Sequence, residues 1–141
     1  MDSLTKKERS LRMSLVKNRD TKPEMVVRKL IFSLGYRYRL HASDIPGRPD
    51  LVFRQRGKLI FVHGCFWHRH LGCSRCRMPK SRIDFWRTKL NGNRKRDQLL
   101  QIKLAKQGWE VPIIWECETE NAHVLRKTIR KWRVLVYNGV L

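Results

Sequence analysis

The run Val62-His-Gly-Cys-Phe-Trp-His-Arg-His-Leu-Gly-Cys73 places two cysteines, three histidines and two adjacent aromatics in twelve residues. Cys65-x4-His70-x2-Cys73 has the close, uneven spacing of metal ligands on a loop, and thiolate with imidazole is the donor set zinc takes. His63 and His68 stand outside that set, available as bases or as ligands of a second metal. Phe66 and Trp67 offer flat apolar surface that can stack on bases or enter a base step as a wedge. A structural zinc site needs a fourth ligand. Cys76 would complete a local Cys-x4-His-x2-Cys-x2-Cys knuckle, whereas Cys117 would tie the loop to a distant strand end; spacing alone favours Cys76. A redox reading of Cys73-x2-Cys76 lacks the strand–motif–helix context that such a pair needs.

Asp50 follows Pro46-Gly-Arg-Pro49 and opens a strand. An aspartate after a turn is ordinarily a cap or a solvated residue. Here a hairpin sets it across from His63, and neighbouring antiparallel strands lie about 5 Å apart, so both side chains reach one ion. A carboxylate holding Mg²⁺ beside a histidine suits phosphodiester cleavage, in which the metal neutralises transition-state charge and a base activates water.

The elements that must position these groups are legible. Thr21-x-x-Glu24 is a capping-box pattern with Pro23 in the first turn. Val27, Leu30, Ile31 and Leu34 follow at helical spacing and Gly35 ends the run, which gives a helix over 22–34. Tyr36, Tyr38 and Leu40 alternate with arginines, a strand with one basic face. A loop over 41–49 leads to a hairpin: Asp50–Phe53, a basic turn over 54–57, and Leu59–Val62. After a cysteine-rich basic loop, Ser81-x-x-Asp84 is a second capping pattern. It opens helical sequence over 83–106, with a break expected near Asn91-Gly92 and with Leu99, Leu100 and Leu104 facing inward. Val111–Trp115 reads as a buried strand in which Pro112 demands an edge or a bulge. Trp109 reads as core. A last helix over 120–134 would bury Val124, Leu125, Ile129 and Trp132. The order suggests a mixed α/β sandwich around a central sheet, with the site on the loops at the strand ends.

Lysine and arginine number 32 against 12 acids, a net charge of +20 spread along the whole chain. That distribution points to a polyanion, with nucleic acid favoured over a membrane surface because no segment joins high hydrophobicity to a basic amphipathic face. With no apolar leader and no run long enough for a membrane span, the expected setting is cytoplasmic, on the nucleoid, where metal explains cysteines better than disulfides do. The expected organisation is a basic arm over 1–20 and one domain over 21–141. Trp86 sits early in a basic helix, near Arg82, Arg87 and Lys89, which suits a nucleic-acid surface.

Several strings together carry a family likeness. Pro46-Gly-Arg-Pro-Asp50, Phe61-Val-His-Gly-Cys-Phe-Trp-His68, Asp84-Phe-Trp86, Asn93 to Asp97, and Gly108-Trp109 through Trp115-Glu-Cys117 occur in order. The chain from about Arg9 to Cys117 resembles the very-short-patch-repair (Vsr) mismatch endonucleases. The resemblance implies an α/β, restriction-endonuclease-like, three-layer core with a central mixed sheet and a structural zinc site. It implies Mg²⁺-dependent nicking of one strand, 5′ to the thymine of a T:G mismatch left by 5-methylcytosine deamination. The implied partner is double-stranded DNA carrying that mismatch, with other repair proteins as further partners, no membrane, and a monomeric enzyme.

Residue by residue, Asp50 resembles the catalytic metal-binding aspartate. Val62 stands where the family has a threonine whose backbone carbonyl is the metal ligand, a role valine keeps. His63 and His68 resemble the two active-site histidines and Glu24 the helix carboxylate that supports them. Cys65, His70, Cys73 and Cys117 match the zinc ligands, against the spacing argument for Cys76. Phe66, Trp67 and Trp86 match the aromatics that enter the DNA beside the mismatch. Met13 matches the arm that closes over the minor groove, and Asn93 a DNA-binding position. A T:G wobble stacks less well than a normal pair, so opening its step costs less, and stacking on an aromatic returns about 1–3 kcal/mol per base. The loop from Leu71 to Arg77 and the region after Cys117 depart from the family, which bears on flanking-sequence preference. The rival expectations are a related nuclease with another target and a zinc-stabilised module that binds distorted DNA without cutting it.

Overall fold

The computed structural model describes residues 5–8 and 20–131. Met13, Trp132 and the end expected for the last helix lie outside the described residues, as does most of the basic arm. Within that arm, Thr5 and Glu8 cap one another reciprocally at the start of a helical turn.

Helix α1 spans Lys22–Ser33. Thr21 is its N-cap, accepting from the Glu24 N–H at 3.4 Å, and Pro23 pre-sets the first turn. The reciprocal arm of the expected capping box goes one residue further back, since Glu24 accepts from the Asp20 N–H at 2.8 Å. Val27 and Ile31, one turn apart, are fully buried. Burial of two such side chains contributes about 1.5–3 kcal/mol each.

Among the described residues, four strands form one mixed sheet in sequence order: β1 (Arg39–Leu40), β2 (Leu51–Phe53), β3 (Lys58–His63) and β4 (Ile113–Trp115). β1–β2 and β2–β3 are antiparallel, and β3–β4 is parallel. Between β2 and β3 a 3-10 turn (Arg54–Arg56) ends on Gly57, whose φ of 67° is the left-handed value that glycine adopts without strain. Alternation divides the sheet between two apolar clusters. Leu51, Phe53, Ile60 and Ile114 pack with Val27 and Ile31 of α1 and with Leu125 and Ile129 of helix α3 (Ala122–Lys131). Val52, Leu59 and Phe61 pack on the other side with Ile45 and with Leu104 of helix α2 (Ile83–Lys106). The result is three layers, with α2 as the crossover that a parallel pair requires.

Some local expectations are corrected. α2 is continuous through Asn91-Gly92, because propagating a helix with many turns outweighs the cost of one glycine, about 1 kcal/mol. Ser81 does not cap it; Arg82 stands at the N-cap with no side-chain bond. Leu99 and Val124 are exposed, because α2 and α3 meet the sheet along narrow lines through Leu104 and through Leu125 and Ile129. The first strand shrinks to Arg39–Leu40, with Tyr36 turned into the core. A 3-10 turn (Glu116–Glu120) replaces the expected start of the last helix. Pro112 precedes edge strand β4 and accepts from the Phe61 N–H, a ladder role that requires no N–H of its own. Trp109 packs against the α2-side cluster as expected.

Gly92→Ala should raise the unfolding free energy by about 0.5–1 kcal/mol, the helix-propensity difference. A new Cβ meets only Arg96 Nη1 at 3.6 Å, an ordinary contact. Chemical denaturation measures the change, and a loss of stability would show that the glycine serves the helix in another way.

Candidate active site and metal centre

β2 and β3 deliver the two groups that the sequence set across a hairpin. Leu51 pairs with Ile60, so the ladder ends just before Asp50, and the Asp50 carboxylate takes over by accepting from the Val62 N–H at 2.7 Å (Oδ2). Within a strand, a residue's N–H and C=O leave the same edge, so the Val62 carbonyl also faces the gap beyond β2. His63 ends β3, nearly buried. Its ring stacks on His68 with centroids 3.8 Å apart and planes 10° from parallel. His68 Nδ1 lies 2.6 Å from Asp97 Oδ2, so the ring donates to that carboxylate and Nε2 is its remaining acceptor. Glu24, reaching over from α1, is also buried and is held by Arg28 at 2.9 Å. Asp50, Glu24, His63, His68 and Asp97 line one cleft of about 700 Å³, with His41 and Arg48. The Pro46–Pro49 turn closes its edge; a Cβ on Gly47 would overlap Leu100 of α2, so the close approach there requires glycine.

A second cleft of about 690 Å³ shares Glu24, Val62 and His68 with the first and is walled by Phe66 and Trp67. Trp86 of α2 joins those two rings, with centroids 5.6 Å from Phe66 and 6.0 Å from Trp67. Asn93 donates to the Trp67 carbonyl at 3.2 Å and so holds the aromatic loop against α2.

Beyond the strand ends, Cys65, His70, Cys73 and Cys117 converge, with ligand atoms all within 4.8 Å of one another; Cys76 is not among them. His70 Nδ1 lies 3.6 Å from Cys65 Sγ and 3.5 Å from Cys117 Sγ. A tetrahedral ion with zinc-type bond lengths sets an S···N edge of about 3.6 Å, so the donor set fits such an ion. His70 stacks on Trp115 at 4.3 Å, and the same indole meets His63 edge-on at 5.4 Å.

Residues 1–75 match the family model described as DNA mismatch endonuclease Vsr. A type II nicking enzyme of Xanthomonas oryzae pv. oryzae is 46% identical over 129 residues, covering 92% of this chain and 94% of the relative. A type II nicking enzyme of Neisseria meningitidis is 38% identical, covering 92% of each chain. The DNA mismatch endonuclease Vsr of Escherichia coli is 38% identical, covering 79% of this chain and 71% of its own. The chain belongs to the Vsr family of DNA mismatch endonucleases. It is thereby a member of a group of hydrolytic enzymes that act on DNA, and among the described residues no helix is long and apolar enough to cross a membrane.

In this Vsr-family cleft the electrostatics are uneven. Burial, followed by the neighbouring Glu24 carboxylate, pushes Asp50 up to about 7 against the stabilising Val62 N–H. Burial, followed by the charge of His68, pushes His63 down to about 4. Two adjacent carboxylates, Glu24 buried and Asp50 partly so, beside the Val62 carbonyl, fit a hard divalent cation. At the cysteine centre, burial pushes the Cys65 thiol up to about 12, so thiolate there requires a bound cation.

Sequence reasoning missed Asp97, His41 and Arg28. Asp97 lay inside a string that carried the likeness, four residues after Asn93 and so on the same helix face. Nothing local marked His41, which comes to Asp50 only through strand pairing.

The two shifted groups have opposite effects on stability. Unfolded chains protonate His63 below pH 6.5 and folded ones only near 4, so acid between those values favours unfolding. Folded chains protonate Asp50 near pH 7 and unfolded ones near 3.8, so acid over that range favours folding. Asp50→Asn removes the second effect alone. The variant should be more stable than the parent above pH 7 and lose that advantage as pH falls toward 4, by up to about 1.4 kcal/mol per unit. Urea unfolding of both proteins from pH 4.5 to 8 without added Mg²⁺ measures the difference; a pH-independent offset would refute the assignment.

Proposed function

We propose that this protein is a Mg²⁺-dependent mismatch nickase that cuts one DNA strand 5′ to the thymine of a T:G mismatch. The observation that carries the reading is the common wall of the two clefts. Asp50, His63 and His68 face one side of it, Phe66 and Trp67 the other, and Glu24, Val62 and His68 belong to both. On this reading the fold is of the restriction-endonuclease kind, and the partner is duplex DNA approached by a chain with a net charge of +20.

The Asp50 carboxylate and the Val62 carbonyl are the groups that would hold the Mg²⁺. When bound, that ion supplies charge neutralisation at the phosphate under attack. Glu24 adds negative charge behind Asp50 and keeps the pair attractive to a cation. His68 takes the proton of the attacking water at Nε2, because Asp97 occupies its Nδ1–H and fixes the ring. His63, neutral and stacked against it, shields that ring and limits its rotation. Phe66, Trp67 and Trp86 enter the weakly stacked mismatch step, with Asn93 holding their loop, and Met13 of the arm closes the minor-groove side. Cys65, His70, Cys73 and Cys117 take a structural Zn²⁺.

End-labelled duplexes with one central T:G pair, beside T:A and C:G controls, test the reading. A Mg²⁺-dependent nick on the thymine strand alone is expected, with Asp50→Ala still binding DNA and zinc but not cutting. Equal cutting of the controls would assign a related nuclease with another target. Binding of the mismatch with no cleavage would assign a recognition module.

For the cysteine centre, Cys117→Ser should lose most bound metal and Cys76→Ser should keep it. Metal analysis of the two purified variants decides, and the reverse pattern would restore the local knuckle.

A further inference from the structure

His41 is the third histidine of the acidic cleft, and no step above uses it. The β1–β2 register places it opposite Asp50, to whose carbonyl its N–H donates at 3.4 Å. It holds a left-handed backbone conformation, φ 46°, which non-glycine residues adopt only under local constraint. Its ring is largely buried, with Nε2 2.9 Å from Arg28 Nη2. A guanidinium only donates, so Nε2 is the acceptor and the ring proton sits on Nδ1. Nδ1 faces Asp50 Oδ1 at 4.0 Å, the oxygen left over when Oδ2 takes the Val62 N–H.

The same Arg28 Nη2 also meets Asp20 at 2.8 Å and Glu24 at 2.9 Å, so its two N–H groups are shared among three acceptors. The same two carboxylates lie 3.7 Å from His41 Nε2. The donors therefore run one way, from Arg28 to His41 and from His41 toward Asp50.

We propose that His41 is a positioning residue for Asp50. Arg28 sets its tautomer, and its Nδ1–H, aimed at Oδ1, keeps the carboxylate turned with Oδ2 on Val62 and Oδ1 toward the cleft. At 4.0 Å the contact is longer than a hydrogen bond. It acts by direction in the free enzyme and tightens once substrate fills the cleft, as site hydrogen bonds commonly do. The proposal rests on the reading of Asp50 as the reacting carboxylate.

His41→Ala removes both partners. His41→Gln keeps the polarity, since the amide oxygen accepts from Arg28 and the amide nitrogen donates to Asp50. Single-turnover nicking of the T:G duplex should slow about tenfold or more in His41→Ala, with KM within about twofold of the parent, and His41→Gln should recover to within about threefold. An unchanged rate in His41→Ala, a loss confined to KM, or a Gln variant as slow as Ala would each overturn the positioning role. Asp50→Ala in the same series separates the two ideas, because an active Asp50→Ala overturns the underlying site reading instead. In the parent protein, long-range ¹H–¹⁵N spectra of the histidine rings should show His41 protonated at Nδ1; an Nε2–H tautomer overturns the proposal without recourse to any variant.

Discussion

The parallel pairing of β3 with β4 is the constraint on which the site depends. Its register sets His63 opposite Trp115. One indole then serves two neighbours, stacking on His70 and meeting His63 edge-on. The residues just past the two strand ends, Cys65 and Cys117, are brought together by the same register. A parallel pair also needs a crossover, and here the crossover is α2, which carries Asp97 to His68 and Trp86 to Phe66 and Trp67. A slip of one residue would turn His63 and Phe61 to the opposite face of the sheet and dismantle all of these contacts together.

The cleft so formed stores unfavourable electrostatics. Glu24 and His63 are withdrawn from water and Asp50 partly so, with Arg28 the basic group that pairs with Glu24 from within. Asp50 and His63 are shifted in opposite directions, each toward its neutral form. Such a site is less stable than an apolar one of the same shape, but it suits binding of a cation and of phosphate, since those ligands relieve the charge that folding concentrates. The two apolar clusters on either face of the sheet supply the offset.

Much of this was legible because the relevant residues are close in sequence or follow a strong period. The α1 pattern gave its cap, the buried pair Val27 and Ile31 and its end at Gly35, whereas Leu34, at the same spacing, stands exposed at the C-cap. The hairpin placed Asp50 near His63 from strand spacing alone. The fourth member of the cysteine cluster was not legible from spacing, since local arithmetic pointed to Cys76; the choice of Cys117 depends on which strand lies next to β3, and strand order is a tertiary fact. The misplaced break in α2 came from giving one glycine more weight than a long helix gives it. Leu99 and Val124 misled for a related reason: periodicity locates an apolar stripe, but the width of the stripe that is covered depends on the partner layer. His41 was illegible because its importance lies in a tautomer that Arg28 imposes from another element.

The loop from Cys65 to His70 has a geometry that bears on strand choice. Its two ends lie 3.6 Å apart at the ligand atoms, and its backbone is closed by hydrogen bonds from His68 to Gly64 and from His70 to Cys65. A ring this short leaves few arrangements for the residues inside it. Phe66 and Trp67 project to the aromatic side and His68 to the acidic side, so on the function proposed above the wedge and the proton acceptor belong to one short closed loop. On the function proposed above, the distance from wedge to attacked phosphate is then set by the ring rather than by the DNA. On that reading, a duplex seated with its mismatch on the wedge would present one phosphate of one strand to Asp50, so that one seated chain would cut one strand.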